Sequence, residues 1–209
     1  MRLEEDHRRR GRKRLRAESD AARDPPPPEQ VRVFVQVLCV RGDGAVLLRA
    51  HDGGELAGLS TGLLGPLGAG ETLEDAARRL AAPLRLDALR RGGVFTFVDE
   101  GVGGFAVEHE FTARVEHAAP PLPAAARWVA RDELDFAAMP ADDAHWYERV
   151  LDGELLHGSF VFGAPNALRG KHVRALSALL DDDDGASQPY TRIKLPGGHP
   201  ILDEVRYTD

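Results

Sequence analysis

A glycine-rich loop that opens into an amphipathic helix constrains the fold of this chain more than any other stretch. Residues 65–84 read GPLGAGETLEDAARRLAAPL, with three glycines before the first residue that favours a helix. Thr72 and Asp75 have the spacing of a capping box, which satisfies backbone N–H groups at a helix start. Pro83 has no N–H and its ring clashes with the carbonyl of Arg79, so we expect the helix to end near Ala82.

Length and composition predict one folded domain with a tail at each end. The chain has 209 residues, of which 43% are hydrophobic, enough for one core and not obviously for two. Residues 1–30 are charged and end in four prolines, which favours a disordered arm with an extended spacer. We therefore expect a domain over residues 31–180 and an acidic, irregular tail over residues 181–209.

Charge restricts the partners that the chain can bind. The formal net charge of -7 argues against the whole chain as a nucleic-acid binder. The basic run RRRGRKRLR at residues 8–16 is either a solvated arm or a contact for polyanions or nuclear import factors, and composition leaves both open. Any nucleic acid would therefore bind weakly, through this arm alone.

Cysteine usage and hydropathy bear on the compartment. The single cysteine, Cys39, excludes a disulfide framework and suits a reducing environment. No apolar run approaches the length that spans a bilayer, and the N-terminus shows no secretory signal. We expect a cytoplasmic or nuclear protein without a membrane partner.

The spacing of the glycine-rich segment resembles the Nudix box. That pattern is Gly, five residues, Glu, seven residues, then Arg-Glu-aliphatic-x-Glu-Glu-x-Gly. Gly65, Glu71 and Arg79 fall on it without a gap and form the frame of the box. The resemblance implies an α/β fold, the Nudix α/β/α sandwich with a mixed, curved sheet. It also implies hydrolysis of a nucleoside diphosphate linked to another group, with Mg²⁺ as the cofactor if the chain is active.

The carboxylates that hold the cation in this family are replaced here. The corresponding positions carry Leu80, Pro83 and Leu84, which offer no oxygen ligands to Mg²⁺. The remaining acids are Glu71, Glu74 and Asp75, of which Asp75 is expected to cap the helix, and the other two allow two interpretations. Either Glu71 pairs with Arg79, as it does in the resembled family, or Glu71 and Glu74 together hold one cation. We favour the first interpretation.

Two strands and a loop lead into the box. Alternation and β-branched residues predict strands over residues 31–40 and 45–49, joined by the turn Arg-Gly-Asp-Gly. The loop after them resembles the family segment Trp-Asn-Gly-Phe-Gly-Gly. Thr61 occupies the place of the asparagine, which implies that it donates a hydrogen bond to a nucleobase.

Strands are predicted at residues 93–99 and 106–115, separated by a glycine-rich hairpin tip. Alternation places Glu108 and Glu110 on one face of the second strand and His109 on the other. We expect the two glutamates to form the solvent-facing side and His109 to be packed and hydrogen-bonded. In an active enzyme, Glu108 or Glu110 could instead contribute to a rebuilt metal site.

A paired aspartate near the C-terminal end of the domain is the second informative feature. The segment 139–162 resembles the C-terminal helix and strand of the oxidised purine nucleoside triphosphate hydrolases, the 8-oxo-dGTPase or MutT-type subgroup. Adjacent carboxyls such as Asp142 and Asp143 repel, so one retains a proton and donates while the other accepts. That combination suits the edge of a purine. Alternatively, Asp142 caps a helix that ends at Gly153, and both interpretations can hold together.

A last helix is predicted over residues 170–180, before the acidic tail. The sequence is consistent with three functions. The first is a purine-nucleotide-binding protein without efficient hydrolysis. The second is an active diphosphatase for oxidised purine nucleoside triphosphates, with a rebuilt Mg²⁺ site drawn from Glu71, Glu74, Glu108 and Glu110. The third is a platform for a protein partner.

Overall fold

The computed structural model describes residues 31–82, 84–99, 104–115, 122–164 and 166–176, together with residues 188–189 and 206–207. The predictions for residues 1–30, for Pro83 and for the acidic run 181–184 lie outside these residues. Within them, no helix is long and apolar enough to cross a membrane.

Nine strands of the described chain form one open, mixed sheet, and two short strands pair separately. The strands of the main sheet are β1 (Arg32–Arg41), β2 (Val46–Ala50), β3 (Ser60–Thr61), β4 (Leu63–Pro66), β5 (Leu86–Asp99), β6 (Gly104–Val115), β7 (Ala126–Val129), β8 (Leu156–Ala164) and β9 (Ala167–Ala175). The main order is β3-β2-β1-β6-β5-β8-β9, with β4 on β1 and β7 on β2. The pairs β1–β6 and β5–β8 are parallel and the others are antiparallel.

Helices cover both faces of this sheet, which confirms the predicted α/β/α sandwich. Helix α1 (Leu73–Leu80) packs its small residues Ala76 and Ala77 on Val35 and Val37 of β1. On the other face lie α2 (Tyr147–Leu151) and three 3₁₀ turns, Arg131–Glu133, Phe136–Ala138 and Asp143–His145. A fourth turn, Gly54–Leu56, follows β2. Register shifts in the β5–β6 ladder add local irregularity to the sheet.

The two long central strands, β5 and β6, place a row of paired residues beneath α2. Strand β6 lies between β1 and β5, and its central residues are covered from both sides of the sheet: Phe111 and Ala113 lie in the core cluster on the α1 side, and Glu110 is fully buried on the α2 side. In this register Glu110 is opposite Gln36 on one side and Gly93 on the other, and Gly93 is next to Leu156 of β8. The row therefore crosses the middle of the sheet beneath the second helix.

One predicted element is wrong. Residues 170–180 were expected to be helical, whereas residues up to Ala175 continue β9, which pairs antiparallel with β8 at the sheet edge. Residues 177–180 lie outside the described chain. Val173, one of the apolar residues that suggested a helix, packs instead on the aromatic cluster beneath α2. In the stretch expected to be irregular, β10 (Gln188–Pro189) pairs with β11 (Arg206–Tyr207).

Candidate functional site

The glycine-rich loop is fixed to the box helix by one ion pair. Arg79 Nε donates to Glu71 Oε1 at 2.6 Å, and Arg79 Nη2 donates to Glu71 Oε2 and to the Pro66 carbonyl at 2.9 Å each. The Gly68 N–H donates to Glu71 Oε2 at 2.8 Å. These hydrogen bonds, above all those from Arg79, lower the pKa of Glu71 to about 2. The pairing predicted from the sequence is present, and Glu71 is committed to holding the loop.

The start of α1 has the predicted cap. Thr72 Oγ1 accepts from the Asp75 N–H at 3.1 Å and donates to Asp75 Oδ2 at 2.8 Å, so the carboxylate returns to the hydroxyl instead of the backbone N–H. The helix ends at Leu80 with Ala81 after it, close to the predicted end. A Cβ at Gly65 would lie 2.6 Å from Leu80 Cδ2, so a larger residue there would displace the Leu80 side chain.

Two of the positions that hold the cation in the resembled family, Leu80 and Leu84, pack against the core on the α1 side. Leu80 is half-buried against the α1 side of the core, and Leu84, beyond the helix end, is 5% exposed within it. Neither supplies an oxygen ligand. Glu71 is already engaged, which leaves the exposed Glu74 and Asp75 on the first turn, and Asp75 Oδ2 accepts from the Thr72 hydroxyl. The described residues of the box do not fit a magnesium ion.

Glu108 and Glu110 correct the sequence prediction. They lie on one face of β6, as alternation predicted, but that face is not solvent-exposed: Glu110 is 0% exposed and Glu108 is half-buried. The prediction failed because Glu110 lies beneath α2 and the turn before it, close to Tyr147 and Asp143. His109, on the opposite face, is buried as predicted, and burial lowers its pKa to about 3.

The paired aspartates lie in the connection above this strand. Asp142 and Asp143 are 4% and 2% exposed, at the start of the 3₁₀ turn before α2. Asp142 does not cap that turn with its side chain; its Oδ2 accepts from the buried indole of Trp146 at 2.9 Å. The Ala141 N–H donates to Asn166 Oδ1 at 2.6 Å, which ties this loop to the segment after β8.

The pKa values of all four carboxyl groups are raised. Burial is the main cause for each: it raises the pKa of Glu108 to about 7 and that of Asp142 to about 6, and Glu110 and Asp143 rise well above their usual range. Repulsion between like charges raises these pKa values further. The charge of Asp142 raises the pKa of Glu108, and the charges of Asp142 and Glu108 raise the pKa of Asp143. Glu110 and Glu108 also share a hydrogen bond that raises the pKa of Glu110 and lowers that of Glu108, so Glu110 holds the shared proton. We name these four groups the acid layer.

Sequence reasoning missed two neutral members of this region. Gln36 Nε2 donates to Glu110 Oε2 at 3.2 Å, and Tyr147 is 0% exposed and close enough to Asp143 and Glu110 for their charges to raise its pKa. Alternation along β1 places Gln36 on the face opposite Val35 and Val37, which was the available signal. A polar residue in a β-branched strand is a sign of a buried partner.

Thr61 is buried, at 2% exposure, and its hydroxyl is already used. Oγ1 donates to the Gly62 carbonyl at 3.0 Å and lies 2.8 Å from His51 Nε2. A Cβ at Gly62 would meet the side chain of Gln36 at 3.3 Å, so this loop runs beside the acid layer. Its predicted role in reading a base stays a prediction.

The four acids considered for a rebuilt metal site are not brought together. Glu110 faces Gln36 on the α2 side of the sheet, whereas Glu71 is paired with Arg79 of α1 on the other side. Across the described residues, no group of three or more His, Cys, Asp or Glu side chains has a geometry that could hold a metal ion.

The chain is similar to known proteins across this whole region, although no family model matches it. It is 30% identical over 153 residues to the oxidized purine nucleoside triphosphate hydrolase of Mus musculus, a match that covers 71% of this chain and 97% of the mouse protein. Its fold matches a mutator MutT protein from Bacillus halodurans, with a TM-score of 0.57, 19% identity and coverage of 68% of this chain and 97% of that one.

A second similar structure is the Nudix domain of NrtR from Shewanella oneidensis, crystallised with ADP ribose. The TM-score is 0.50 and the identity 20%, with coverage of 65% of this chain and 96% of that one. The identity to the mouse hydrolase and the shared fold agree with the box frame of Gly65, Glu71 and Arg79. The chain belongs to the Nudix family, with the oxidised purine nucleoside triphosphate hydrolases among its relatives.

Proposed function

We propose that this protein binds a purine nucleotide through Asp142 and Asp143 and does not hydrolyse it efficiently. The observation that carries the proposal is the buried aspartate pair, which is held in place by Trp146 while one oxygen, Asp143 Oδ2, has no hydrogen-bond partner in the described chain. Buried polar atoms are nearly always paired, so an unpaired oxygen on a carboxyl that retains its proton suits a ligand with a hydrogen-bond acceptor.

The chemistry of the pair supports a purine edge. Asp142 accepts from the indole and has a pKa of about 6, whereas the pKa of Asp143 rises further because of burial and the neighbouring charges. At neutral pH, Asp142 is therefore the acceptor and Asp143 retains a proton to donate. A purine presents both donors and acceptors along one edge and can satisfy both carboxyls together.

Weak hydrolysis follows from the box. Hydrolysis in this family uses a divalent cation to neutralise the diphosphate and activate water. Leu80 and Leu84 supply no ligands, and the bidentate ion pair with Arg79 engages both oxygens of Glu71. The similarity to a mouse hydrolase supports the substrate class, while the residues at these positions support binding without turnover.

Thermal shift with 8-oxo-dGMP tests this proposal. We expect a higher melting temperature with the nucleotide, with or without Mg²⁺, and loss of the shift in Asp143→Asn. Glu133→Gln is the control, because Glu133 is exposed and outside the acid layer. Absence of a shift with 8-oxo-dGMP, 8-oxo-dGTP and other purine nucleotides would reject the proposal and favour a platform for a protein partner. Mg²⁺-dependent pyrophosphate release that Glu71→Gln abolishes would favour an active diphosphatase.

A further inference from the structure

Strand β9 forms the long edge of the main sheet. Among the described strands it pairs only with β8, and it ends the strand order. The other strands of this sheet that have one described neighbour are short: β3 has two residues, and β4 and β7 have four each. An edge strand presents backbone N–H and C=O groups with which another strand can pair. Strand β9 has nine residues and no proline, so it offers a continuous row of these groups.

The C-terminal part of β9 is regular. Residues 170–175 pair one for one with β8, and the register shifts lie at the other end of the ladder, around Phe162. The Leu176 N–H extends the ladder by donating to the Leu155 carbonyl at 2.7 Å. Val173 packs on the aromatic cluster beneath α2. Because bulges are one of the features that protect sheet edges from pairing, this regular part remains suited to a further strand.

The same part of β9 carries bases that no described acid neutralises. Lys171, His172 and Arg174 are exposed, and the strand contains no aspartate or glutamate. None of the three forms an ion pair with an acid of the described chain, although the chain as a whole has a formal net charge of -7. Several arginines elsewhere do form such pairs, namely Arg41, Arg79, Arg131 and Arg149.

The histidines beside these bases do not offset their charge. Burial lowers the pKa of His145, and the charge of Lys171, whose Nζ lies 2.9 Å from His145 Nδ1, lowers it further. Arg174 lies opposite His157 of β8, whose pKa is lowered by burial and then by the charges of Arg174 and His172. Alternation along the strand places Lys171 and Arg174 on opposite faces of the sheet. Positive charge therefore flanks the free backbone groups on both faces.

From this arrangement we infer that the β9 edge, formed by the backbone of residues 170–175 with Lys171, His172 and Arg174, binds an extended acidic peptide segment of a partner protein as an additional strand. The main-chain groups of the peptide would pair with those of β9. Its carboxylates would lie beside the bases, since opposite charges on adjacent strands attract each other. The inference is independent of the proposed function, because the β9 edge contains no residue of the acid layer.

The chemistry of the β9 edge disfavours two other occupants. A second copy of β9 would bring bases next to bases, and like charges on adjacent strands destabilise their pairing. The phosphodiester backbone of a nucleic acid accepts hydrogen bonds but has no N–H group to donate to the β9 carbonyls. An acidic peptide supplies both the negative charge and the donors.

Fluorescence anisotropy with the full-length protein tests the inference. The probe is a short labelled peptide of alternating Glu and Val with blocked ends. We expect it to bind about tenfold more tightly than the same peptide with Lys in place of Glu. A third peptide, which is the probe with every backbone nitrogen methylated, keeps the carboxylates and loses the main-chain donors. It should bind about tenfold more weakly than the probe.

A double variant tests the bases of the β9 edge. Lys171→Gln combined with Arg174→Gln removes two charges and leaves the backbone, so the affinity for the probe should fall about tenfold. Arg78→Gln combined with Arg85→Gln is the control, because it removes the same charge from exposed residues outside β9. The control should bind the probe within about twofold of the wild type. Hydrogen exchange should show added amide protection in β9 when the probe is bound.

Four results would overturn the inference. Failure of the probe to bind would leave the bases as protection against edge-to-edge association. Equal affinity for the probe and its methylated form would indicate attraction between charges without strand pairing. Unchanged affinity in the Lys171→Gln and Arg174→Gln protein would place the peptide elsewhere, for example at the basic run of residues 8–16. An oligodeoxythymidylate that binds more tightly than the probe and displaces it would favour a single-stranded nucleic acid.

Discussion

Glu110 and His109 are sequence neighbours whose pKa values shift because both are buried. The pKa of Glu110 lies well above its usual range and that of His109 is lowered to about 3, so the folded state favours the neutral form of each. The unfolded chain titrates near ordinary values, about 4.3 for Glu and about 6.5 for His. Through Glu110, the free energy of unfolding therefore decreases as the pH rises above about 4.3. Through His109, it decreases as the pH drops below about 6.5.

Glu110→Gln should stabilise the protein at alkaline pH. The amide keeps an oxygen to accept from Gln36 and loses the carboxyl that is costly to ionise in the core. We expect the free energy of unfolding at alkaline pH to rise by about 1–3 kcal/mol, in the range of a relieved buried polar group. Chemical denaturation over a pH series measures it.

The pH dependence provides the matched control. Because Glu110 is protonated in both states at low pH, the variant and the wild type should converge below about pH 4. Glu133→Gln, an exposed substitution of the same kind, should follow the wild-type curve throughout. A Glu110→Gln protein that is less stable than the wild type at every pH would show that the buried carboxyl does not destabilise the folded state.

At the scale of elements, the segment after α1 tests whether a glutamate of the family's box can be restored at residue 84 without loss of stability. Leu84 is 5% exposed and packs in the cluster that joins α1 to β1. Leu84→Glu would place a carboxylate in hydrocarbon, so we expect a loss of about 3 kcal/mol or more in unfolding free energy. Leu84→Met is the control and should cost less than about 1.5 kcal/mol. A well-folded, stable Leu84→Glu protein would show that residue 84 can face solvent.

The cap of α1 provides a second element-scale prediction. Thr72→Ala removes the acceptor for the Asp75 N–H and should lower the unfolding free energy by about 1 kcal/mol. Thr72→Ser keeps the hydroxyl and should recover most of that loss. Thermal unfolding of the three proteins measures it; equal melting temperatures would mean that the loop is held by the Glu71–Arg79 pair alone.

Local signals in the sequence predicted the elements that depend on local chemistry. The cap at Thr72, the end of α1 before Pro83 and the strands β1, β2 and β6 follow from side-chain and backbone rules that act over a few residues. The last strand was missed because Val173 and its neighbours also fit a helical period, and only pairing with β8 decides between the two.

Only part of the acid layer, the aspartate pair, could be predicted from the sequence. The aspartate pair is visible as two adjacent residues, but Glu110 and Gln36 are 74 residues apart and meet only when β1 and β6 pair in parallel. Alternation assigns Glu108 and Glu110 to one face without saying which face is covered. Burial of that face depends on the position of β6 in the strand order, which is a property of the whole sheet.

At the scale of the molecule, the two sides of the sheet have separate roles. The α1 side holds the box frame, an ion-paired loop and a core of aliphatic residues where this family places its cation ligands. The α2 side holds the acid layer and a cluster of aromatic rings. The proposed nucleotide site therefore lies on the α2 side, and we expect binding there not to depend on a cation at the box helix.

Calorimetric titration of 8-oxo-dGTP in EDTA, and again in excess Mg²⁺, tests this separation most directly. We predict binding in both conditions with dissociation constants that agree within about threefold, less than half of the 1.4 kcal/mol that a tenfold change represents. Binding that appears only with Mg²⁺, or that Mg²⁺ strengthens by more than about a hundredfold, would show that a cation is held between the nucleotide and the protein and would contradict the account.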